Sequence, residues 1–233
     1  MACASSSVAI AAGAEDIAFG EIDAALVGGA DLMTLAQPRG DAATSSRPFS
    51  ATRSGLVLGE GAVFLLIEEL ECARRRGVRV YAEIAGTGLS CDAAHLTKPQ
   101  AKGQVQAMCA AIRSPDPAPK DIGYCNAHGT ATIVGDLVET ESIRCVWGDD
   151  LERLRVSSPK ALQGHLPGAA GALETIVTTL ALHRRRIPVN ANCEDPDPAC
   201  AIPLVLGESE DHASLQAAIC NSFASAAPTL RSC

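Results

Sequence analysis

The chain has 233 residues, of which 47% are hydrophobic and only 3% aromatic, and its formal net charge is −8. This length suits one large domain or two small ones, with a core built from Ala, Val, Leu and Ile. The acidic balance argues against a nucleic-acid-binding protein, which needs surplus Lys and Arg for phosphate contacts. No apolar run reaches the ~18 residues of a membrane span, and no signal peptide is visible.

The first of the ten cysteines, Cys3, stands among small residues directly before an Ala-rich segment that is predicted to be a helix. A helix N-terminus stabilises a thiolate, so Cys3 is a candidate nucleophile, and a buried, inert thiol is the alternative. None of the cysteines has the Cys-x-x-Cys spacing of a zinc site, so no metal centre is predicted. Scattered thiols favour a reducing compartment over a disulfide framework.

Strands and helices alternate along the chain, which predicts an α/β fold with a largely parallel, buried sheet. Predicted strands cover residues 23–31, 62–69, 78–88, 122–127, 154–158, 202–206 and 217–221. Predicted helices cover residues 8–18, 68–76, 103–113, 135–147 and 167–183. In the third helix, periodicity places Val105, Met108, Cys109 and Ile112 on one apolar face. Polar, proline-containing stretches at 33–54 and 114–120 are interpreted as loops.

Three polar turns contain the side chains best suited to chemistry, namely His128, Lys160 and His165. Ligands of parallel α/β sheets gather at the carboxyl ends of strands, so these turns could share a site with Cys3. Imidazole N–H groups can stabilise an enolate oxygen, and a lysine adds positive charge. The alternatives are a satisfied turn histidine, a solvated lysine and a helix cap. Glu139, on the helix after His128, is placed to pair with Lys160.

A series of short motifs follows one another along the chain, namely Ala2-Cys3-Ala4-Ser5-Ser6, Val27-Gly28-Gly29-Ala30, Arg47-Pro48-Phe49, Gly59-Glu60-Gly61-Ala62, Asn126-Ala127-His128-Gly129-Thr130, Lys160, Gly164-His165, Gly168-Ala169-Ala170-Gly171 and Cys220-Asn221-Ser222-Phe223. The order of these motifs resembles the elongating β-ketoacyl-[acyl-carrier-protein] synthases, thiolase-fold ketosynthases of dissociated fatty acid synthesis. The resemblance covers nearly the whole chain and implies a layered α/β/α fold. Residues 1–77 would be part of the N-terminal half, with the nucleophile, and residues 78–233 the C-terminal half.

The resemblance implies a decarboxylative Claisen condensation, in fatty acid or polyketide elongation, that needs no metal or redox cofactor. Cys3 would take an acyl chain from acyl carrier protein, and malonyl carrier protein would supply the carbanion. His128 and His165 would stabilise the enolate, while Lys160, paired with Glu139, would hold the electrostatics of the site. The Asn-Ala-His-Gly-Thr variant is closer to the fatty acid enzymes than to modular polyketide synthases.

The same resemblance implies a binding path and a setting for the reaction. Thr130 and Thr132 match positions that contact the pantetheine arm, and Phe223 matches a substrate-binding position. The oxyanion hole would use the amide of Cys3 and an amide within 223–225. The implied partners are acyl carrier protein and a second copy of the chain, without nucleic acid or membrane. The implied location is the cytoplasm or an organelle with dissociated fatty acid synthesis.

Departures from the family pattern leave a second hypothesis open. The chain starts two residues before Cys3, so we expect an incomplete N-terminal half that lacks the strand paired across the family's dimer. Near the other end Ser225 stands in the place of a gating aromatic, and no glycine-rich turn with a final strand is predicted. The alternative is therefore a truncated relative, weak or inactive in turnover, that acts as a structural or partner subunit. A thiolase-like enzyme acting on coenzyme A is disfavoured, because no second cysteine lies in a late glycine-rich turn.

Overall fold

A computed structural model describes residues 2–32, 41–92, 99–112, 118–223 and 226–231, and its elements alternate as an α/β fold. The predicted loops at 33–54 and 114–120 fall partly outside these ranges. The helices are α1 (Ser5–Ala18), α2 (Leu70–Arg76), α3 (Ala101–Ala111), α4 (Ile133–Trp147), α5 (Lys160–Gln163) and α6 (Ala170–Arg184). The strands are β1 (Ala24–Asp31), β2 (Gly61–Glu68), β3 (Glu83–Leu89), β4 (Ile122–Asn126), β5 (Arg155–Ser157), β6 (Arg186–Ile187), β7 (Glu210–Asp211), β8 (Ala217–Cys220) and β9 (Ala226–Arg231).

Within the described ranges, the largest sheet has five strands in the order β3-β9-β8-β4-β5. Strand β4 runs parallel to β5 and β8, whereas β9 is antiparallel to both β8 and β3. The prediction of a largely parallel sheet is therefore wrong, and so is the expectation that no final strand follows β8. A short connection after β8 reverses the chain, and the returning strand then pairs antiparallel with its predecessor.

Three predicted strands differ from the observed ones. The predicted strand at 202–206 is reduced to a single bridge between Leu204 and Val156. The predicted strand at 78–88 begins only at Glu83. Strand β1 was expected to be buried, yet Val27 is its one buried residue in the described structure. The reason is that β1 pairs with β2 in a separate two-stranded antiparallel unit, and the side chains of Leu26, Phe64 and Leu66 on its outer face are exposed.

Helices cover both faces of the five-stranded sheet. On one face, Met108 of α3 and Ile143 of α4 pack with Val156 and Ile219 of the sheet. On the other face, Leu182 of α6 packs with a second group of sheet and loop residues, namely Tyr124, Ile187, Val205, Leu215 and Ala218. Alternate strand residues point to opposite faces, so both layers draw on the same strands. The apolar strand β4 thereby reaches the middle of the protein, and its carboxyl end is buried.

The buried face of helix α3 is displaced by about one residue from the predicted one. Its buried residues are Gly103, Gln104, Ala107, Met108 and Ala111, which follow the spacing of three and four. Cys109 was predicted on this apolar face, but it is exposed. Each helical step rotates by about 100°, and Met108 lies at the edge of the buried face, so the residue that follows it turns towards solvent.

Helix α1 lies directly against α6, and the contact is made by a glycine. A Cβ atom at Gly171 would lie 2.0 Å from Ser7 Oγ and 2.8 Å from Ser7 N. Only a residue without a side chain allows the two backbones to approach this closely. The crossing places the N-terminal turn of α1 beside the N-terminus of α6. No helix in the described ranges is long and apolar enough to span a membrane.

Candidate active site

Cys3 lies in a short 3₁₀ turn, Ala2–Ala4, that leads straight into α1. The amide of Ser6 donates to Gly168 O at 3.2 Å, and the Ser6 hydroxyl accepts from the amide of Ala172 at 3.0 Å. The start of α1 is therefore fastened to the start of α6. Cys3 itself is half-buried.

The electrostatics of Cys3 differ from the sequence-based expectation of a stabilised thiolate. Burial raises the pKa of its thiol, and the nearby charge of Lys160 lowers it only in part. The negative charge of Asp31 also raises the pKa of Cys3. The Asp31 carboxylate is held in place by hydrogen bonds that it accepts from Gly168 N and Ala169 N. Removal from water thus outweighs the positive helix end, and the resting group is a thiol.

Strand β4 ends in the turn that carries His128. The amides of His128 and Gly129 both donate to the carboxylate of Glu139, each at 2.8 Å. The hydroxyl of Ser158 donates to Gly129 O at 2.8 Å. The Asn221 side-chain amide donates to Glu139 at 3.3 Å, so the carboxylate is itself held in place. These contacts fix the backbone of the turn from two sides.

Lys160 forms a buried ion pair with Glu174, and the relative exposures of the two side chains are 1% and 0%. The prediction that Glu139 is the partner of Lys160 is therefore wrong, because Glu139 is occupied by the amides of the His128 turn. Glu174 is the residue that sequence reasoning missed. Its signal was present, since it stands in a helix of Ala, Gly, Leu and Thr. A buried acid at such a position requires a buried cation.

His165 is positioned through its backbone. Its amide donates to Val57 O at 2.7 Å, and its carbonyl accepts from Gly59 N at 2.9 Å. A Cβ at Gly59 would lie 2.5 Å from Gln163 O, so this close approach needs glycine. The result is that the imidazole of His165 faces the His128 turn.

The two imidazole rings stand perpendicular, with centroids 5.4 Å apart and an interplanar angle of 89°. Within the described structure, Nδ1 of His128 and both ring nitrogens of His165 have no hydrogen-bond partner. Burial and the charge of Lys160 hold the pKa of His128 well below its ordinary value, and the same causes lower the pKa of His165 to about 4. Both rings are consequently neutral near pH 7, and each has an N–H available to a ligand.

The remaining candidates lie around this pair. The ring of Phe223 is 6.0 Å from that of His128. The hydroxyls of Thr130 and Thr132 are 3.0 Å apart, half-buried, in the stretch between His128 and α4. The predicted gating position Ser225, and the amides of residues 224 and 225 expected in the oxyanion hole, lie outside the described residues.

The charge of Lys160 lowers the pKa values of Cys3, His128 and His165. The four predicted residues therefore lie around one site. A thiol beside two neutral N–H donors can attack a thioester and stabilise a developing oxyanion. Two protein-family models match the sequence. Residues 1–73 match the beta-ketoacyl synthase N-terminal domain, and residues 81–194 match the beta-ketoacyl synthase C-terminal domain. The chain belongs to the beta-ketoacyl synthase family.

Two curated members of the beta-ketoacyl synthase family show the extent of the similarity. The chloroplastic 3-oxoacyl-[acyl-carrier-protein] synthase II of Arabidopsis thaliana is 38% identical over 237 residues, which covers 95% of this chain and 44% of that protein. The 3-oxoacyl-[acyl-carrier-protein] synthase 2 of Staphylococcus aureus is 38% identical over 224 residues, with 90% and 56% coverage. The chain thus spans about half the length of the curated relatives it matches.

Solved ketosynthases share the fold. The ishigamide ketosynthase/chain length factor superposes with a TM-score of 0.92 at 34% identity, covering 99% of this chain and 59% of that one. A beta-ketoacyl synthase from Burkholderia phymatum gives 0.91 at 36% identity, covering 99% and 60%. A type II polyketide synthase acyl-carrier protein in complex with its ketosynthase, bound to the hexaketide, gives 0.91 at 25% identity, covering 99% and 61%. These neighbours confirm the predicted thiolase-like α/β/α fold.

Proposed function

We propose that this chain carries the reacting residues of a decarboxylative Claisen condensation between an acyl-enzyme thioester and malonyl-acyl carrier protein. The observation that carries the proposal is the pair of buried imidazoles, His128 and His165, in which Nδ1 of His128 and both ring nitrogens of His165 lack a partner among the residues that the structure describes. Unpartnered buried polar atoms are costly unless a ligand satisfies them. The carbonyl oxygen of a thioester is a suitable ligand, because it accepts hydrogen bonds more strongly as it becomes an enolate oxygen.

In the first half-reaction, the sulfur of Cys3 attacks the carbonyl carbon of an acyl chain on carrier protein. The bond from this carbon to the carrier sulfur breaks, and the thiol proton of Cys3 leaves with the carrier thiol. The raised pKa of Cys3 means that the proton is lost during attack and is not already absent at rest. The product is an acyl thioester on Cys3.

In the second half-reaction, malonyl carrier protein loses carbon dioxide, and the electron pair of the broken bond forms an enolate. His128 and His165 donate to the enolate oxygen, and a neutral donor suits this role because it stays protonated throughout. The enolate carbon attacks the acyl carbonyl on Cys3 and expels the thiolate, which regains a proton from water. The product is a β-ketoacyl thioester on carrier protein.

The other candidates take supporting roles in this proposal. Lys160, paired with Glu174, adds its positive charge to the burial that keeps both imidazoles uncharged. Thr130 and Thr132 offer hydroxyls for the amides of the pantetheine arm, and Phe223 contacts substrate beside His128. Acyl carrier protein is the proposed partner, as it is the named partner of the similar polyketide ketosynthase.

A second candidate is a partner subunit that performs no turnover. The raised pKa of Cys3 favours it, since a thiol reacts more slowly than a thiolate. The exposed apolar side chains on the outer face of β1 and β2 also favour it, because such a face suits a protein partner. In this case the site geometry would persist without acylation of Cys3.

Intact-mass spectrometry after incubation with an acyl-carrier-protein thioester separates the two candidates. We expect a mass gain equal to the acyl group in the native chain and in Cys145→Ala, which removes an exposed thiol, but none in Cys3→Ala. Acylated chain should then release carbon dioxide from malonyl carrier protein. A folded chain that gains no mass at Cys3 would overturn the condensing function and support the partner subunit.

A further inference from the structure

Two asparagines lie one residue apart in the loop after β6, in the order Asn190-Ala191-Asn192, and the proposed reaction does not use them. Asn190 is 1% exposed. Asn192 is half-buried and has φ +58, a left-handed conformation that asparagine adopts more readily than most residues. A buried side-chain amide is costly unless its oxygen and its nitrogen find partners, so the contacts of these two amides reveal what the loop holds in place.

The amide of Asn190 joins two segments that are distant in sequence. Its Oδ1 accepts from the backbone N–H of Ser158 at 3.0 Å, and its Nδ2 donates to Pro48 O at 3.0 Å. Ser158 directly follows β5, and Pro48 lies in the stretch before β2. One buried side chain therefore fixes the end of β5 against this stretch.

Asn192 makes a similar connection. Its Nδ2 donates to Ala43 O at 2.9 Å and to Ser46 O at 3.1 Å, and it has a longer contact of 3.4 Å with Ala161 O. An amide nitrogen has two hydrogens, so the longer contact with Ala161 is the weakest of the three. Residues 43–48 are thus fastened by both asparagines.

The two asparagines contact the backbone on either side of Lys160. Ser158 lies two residues before Lys160, and Ala161 directly follows it. Lys160 begins helix α5, which has only four residues. A helix of one turn is not stable by itself, because it makes too few hydrogen bonds to offset the entropy of ordering its backbone. The place of α5 is consequently set by contacts with other segments, and the asparagine pair supplies two of them.

We propose that Asn190 and Asn192 are positioning residues for Lys160, acting through the backbone of Ser158 and Ala161. They keep α5 where Nζ of Lys160 pairs with Glu174 of α6. The inference rests on the proposed function for its catalytic meaning. Its physical content, the place of one buried cation, is measurable without any substrate.

Two groups of the site respond to the place of this cation. The charge of Lys160 lowers the pKa of Cys3 and of His165, whereas the charge of Asp31 raises both. Burial acts on the two in opposite directions, because it raises the pKa of the thiol and lowers that of the imidazole. Moving Lys160 away should therefore raise both pKa values. Opening the site to water should raise the pKa of His165 but lower that of Cys3, so the direction of change at Cys3 separates the positioning of Lys160 from a merely structural role.

The test uses Asn190→Ala and Asn192→Gly; glycine suits the left-handed conformation at 192, so only the side-chain amide is lost. The pKa of Cys3 is obtained from the pH dependence of its alkylation by iodoacetamide, followed by mass spectrometry of the peptide that contains it. The pKa of His165 is obtained by NMR of histidine-labelled chain, with the signal assigned by its loss in His165→Gln. In both variants we expect the pKa of Cys3 to exceed that in the native chain, and the pKa of His165 to rise from about 4 towards its ordinary value of about 6.5.

Glu194→Gln is the matched control, since it changes an exposed residue of the same loop and should leave both pKa values unchanged. If Asn190→Ala does not fold, Asn192→Gly carries the test, because it removes the contacts of a side chain that is only half-buried. A lower pKa of Cys3 in either folded variant would overturn the proposal, because the site would then have opened to water. Unchanged pKa values in the folded variants would also overturn it.

Kinetics separate this inference from the proposed function. At a fixed pH below the pKa of Cys3, acylation by an acyl-carrier-protein thioester should slow by roughly three- to tenfold for each unit by which the thiol pKa rises, because less thiolate is present. Acylation at the native rate in both variants would overturn the positioning role. A native chain that is never acylated, but whose variants show the expected pKa changes, would refute the condensing function and leave the positioning role intact.

Discussion

Single side chains in the site owe their charge states to burial and to one cation. Lys160 and Glu174 are both removed from water, and burial raises the pKa of Glu174 to about 7 against the opposing charge of Lys160. Burial, reinforced by the charge of the same cation, lowers the pKa of His128 and of His165 and so keeps both rings neutral. A donor that is neutral near pH 7 can hydrogen-bond an enolate without transferring its proton prematurely.

The Lys160–Glu174 pair leads to a stability prediction. Lys160→Met should lower the free energy of unfolding by about 3–5 kcal/mol, because it leaves a carboxylate buried without a cation. Lys160→Met combined with Glu174→Gln should recover most of this loss, whereas Lys160→Met with Glu139→Gln should not. Urea denaturation at pH 8 measures all four chains. Recovery in the Glu139 double variant would contradict the pairing described here.

His165 leads to a pH prediction. An unfolded histidine gains a proton below its ordinary pKa of 6.5, but folded His165 does so only near pH 4. The contribution of neutral His165 to the free energy of unfolding is therefore fully present above pH 6.5, and it is lost as the pH decreases towards 4. Between pH 7.5 and 4.5, the native chain should lose about 2–3 kcal/mol more than His165→Gln. Equal losses in the two chains would show that His165 titrates normally.

Among the elements, the contact between α1 and α6 does most to place the nucleophile. Hydrogen bonds from Ser6 to Gly168 and Ala172, and from Ser7 to Ser222, fasten the start of α1 to the rest of the site. Gly171 permits the close approach that these bonds need. The position of Cys3 is consequently a property of the helix pair and not of its own turn.

Gly171→Ala tests this dependence. Alanine normally stabilises a helix by about 1 kcal/mol relative to glycine, but here overpacking against Ser7 should instead cost about 1–3 kcal/mol. Acylation of Cys3 should slow in the same variant. Gly135→Ala in α4 is the matched control, because its one close neighbour is the Thr132 hydroxyl, which can rotate away. Thermal unfolding of both variants checks the prediction, and a stabilised Gly171→Ala would contradict it.

At the scale of the whole molecule, the paired strands β1 and β2 present an apolar outer face. The register sets Leu26 opposite Leu66 and Gly28 opposite Phe64, so the large side chains share one side. The exposed fractions of Leu26, Leu66 and Phe64 are 72%, 64% and 56%. Contiguous exposed apolar residues are uncommon on monomeric proteins and mark surfaces for other chains.

This face should bind the hydrophobic dye ANS. We expect Leu26→Ser with Leu66→Ser to lower the dye fluorescence several-fold, since most of the contiguous apolar area is lost. Leu162→Ser, which removes a single exposed leucine elsewhere, should leave the fluorescence nearly unchanged. Equal fluorescence in the double variant and the native chain would show that the dye binds another surface.

Local sequence patterns were sufficient for most elements of this fold. The local sequence predicted helices at the positions of α1, α4 and α6, and Gly77 ends α2 in the left-handed conformation expected of a helix C-terminus. The turns with His128, Lys160 and His165 were recognisable because small and polar residues follow apolar strands. The roles of these residues, and the division of the chain at 77/78, stay predictions.

Other properties depend on residues that are distant in sequence. The pairing of Lys160 with Glu174, the insertion of β9 between β3 and β8, and the exposed outer face of β1 arise only when separate segments meet. The pKa of Cys3 also belongs to this group, because desolvation is set by everything that packs around the thiol. Propensity and periodicity act over a few residues, whereas burial and charge pairing act through space, which is why the elements were predictable and the electrostatics of the site were not.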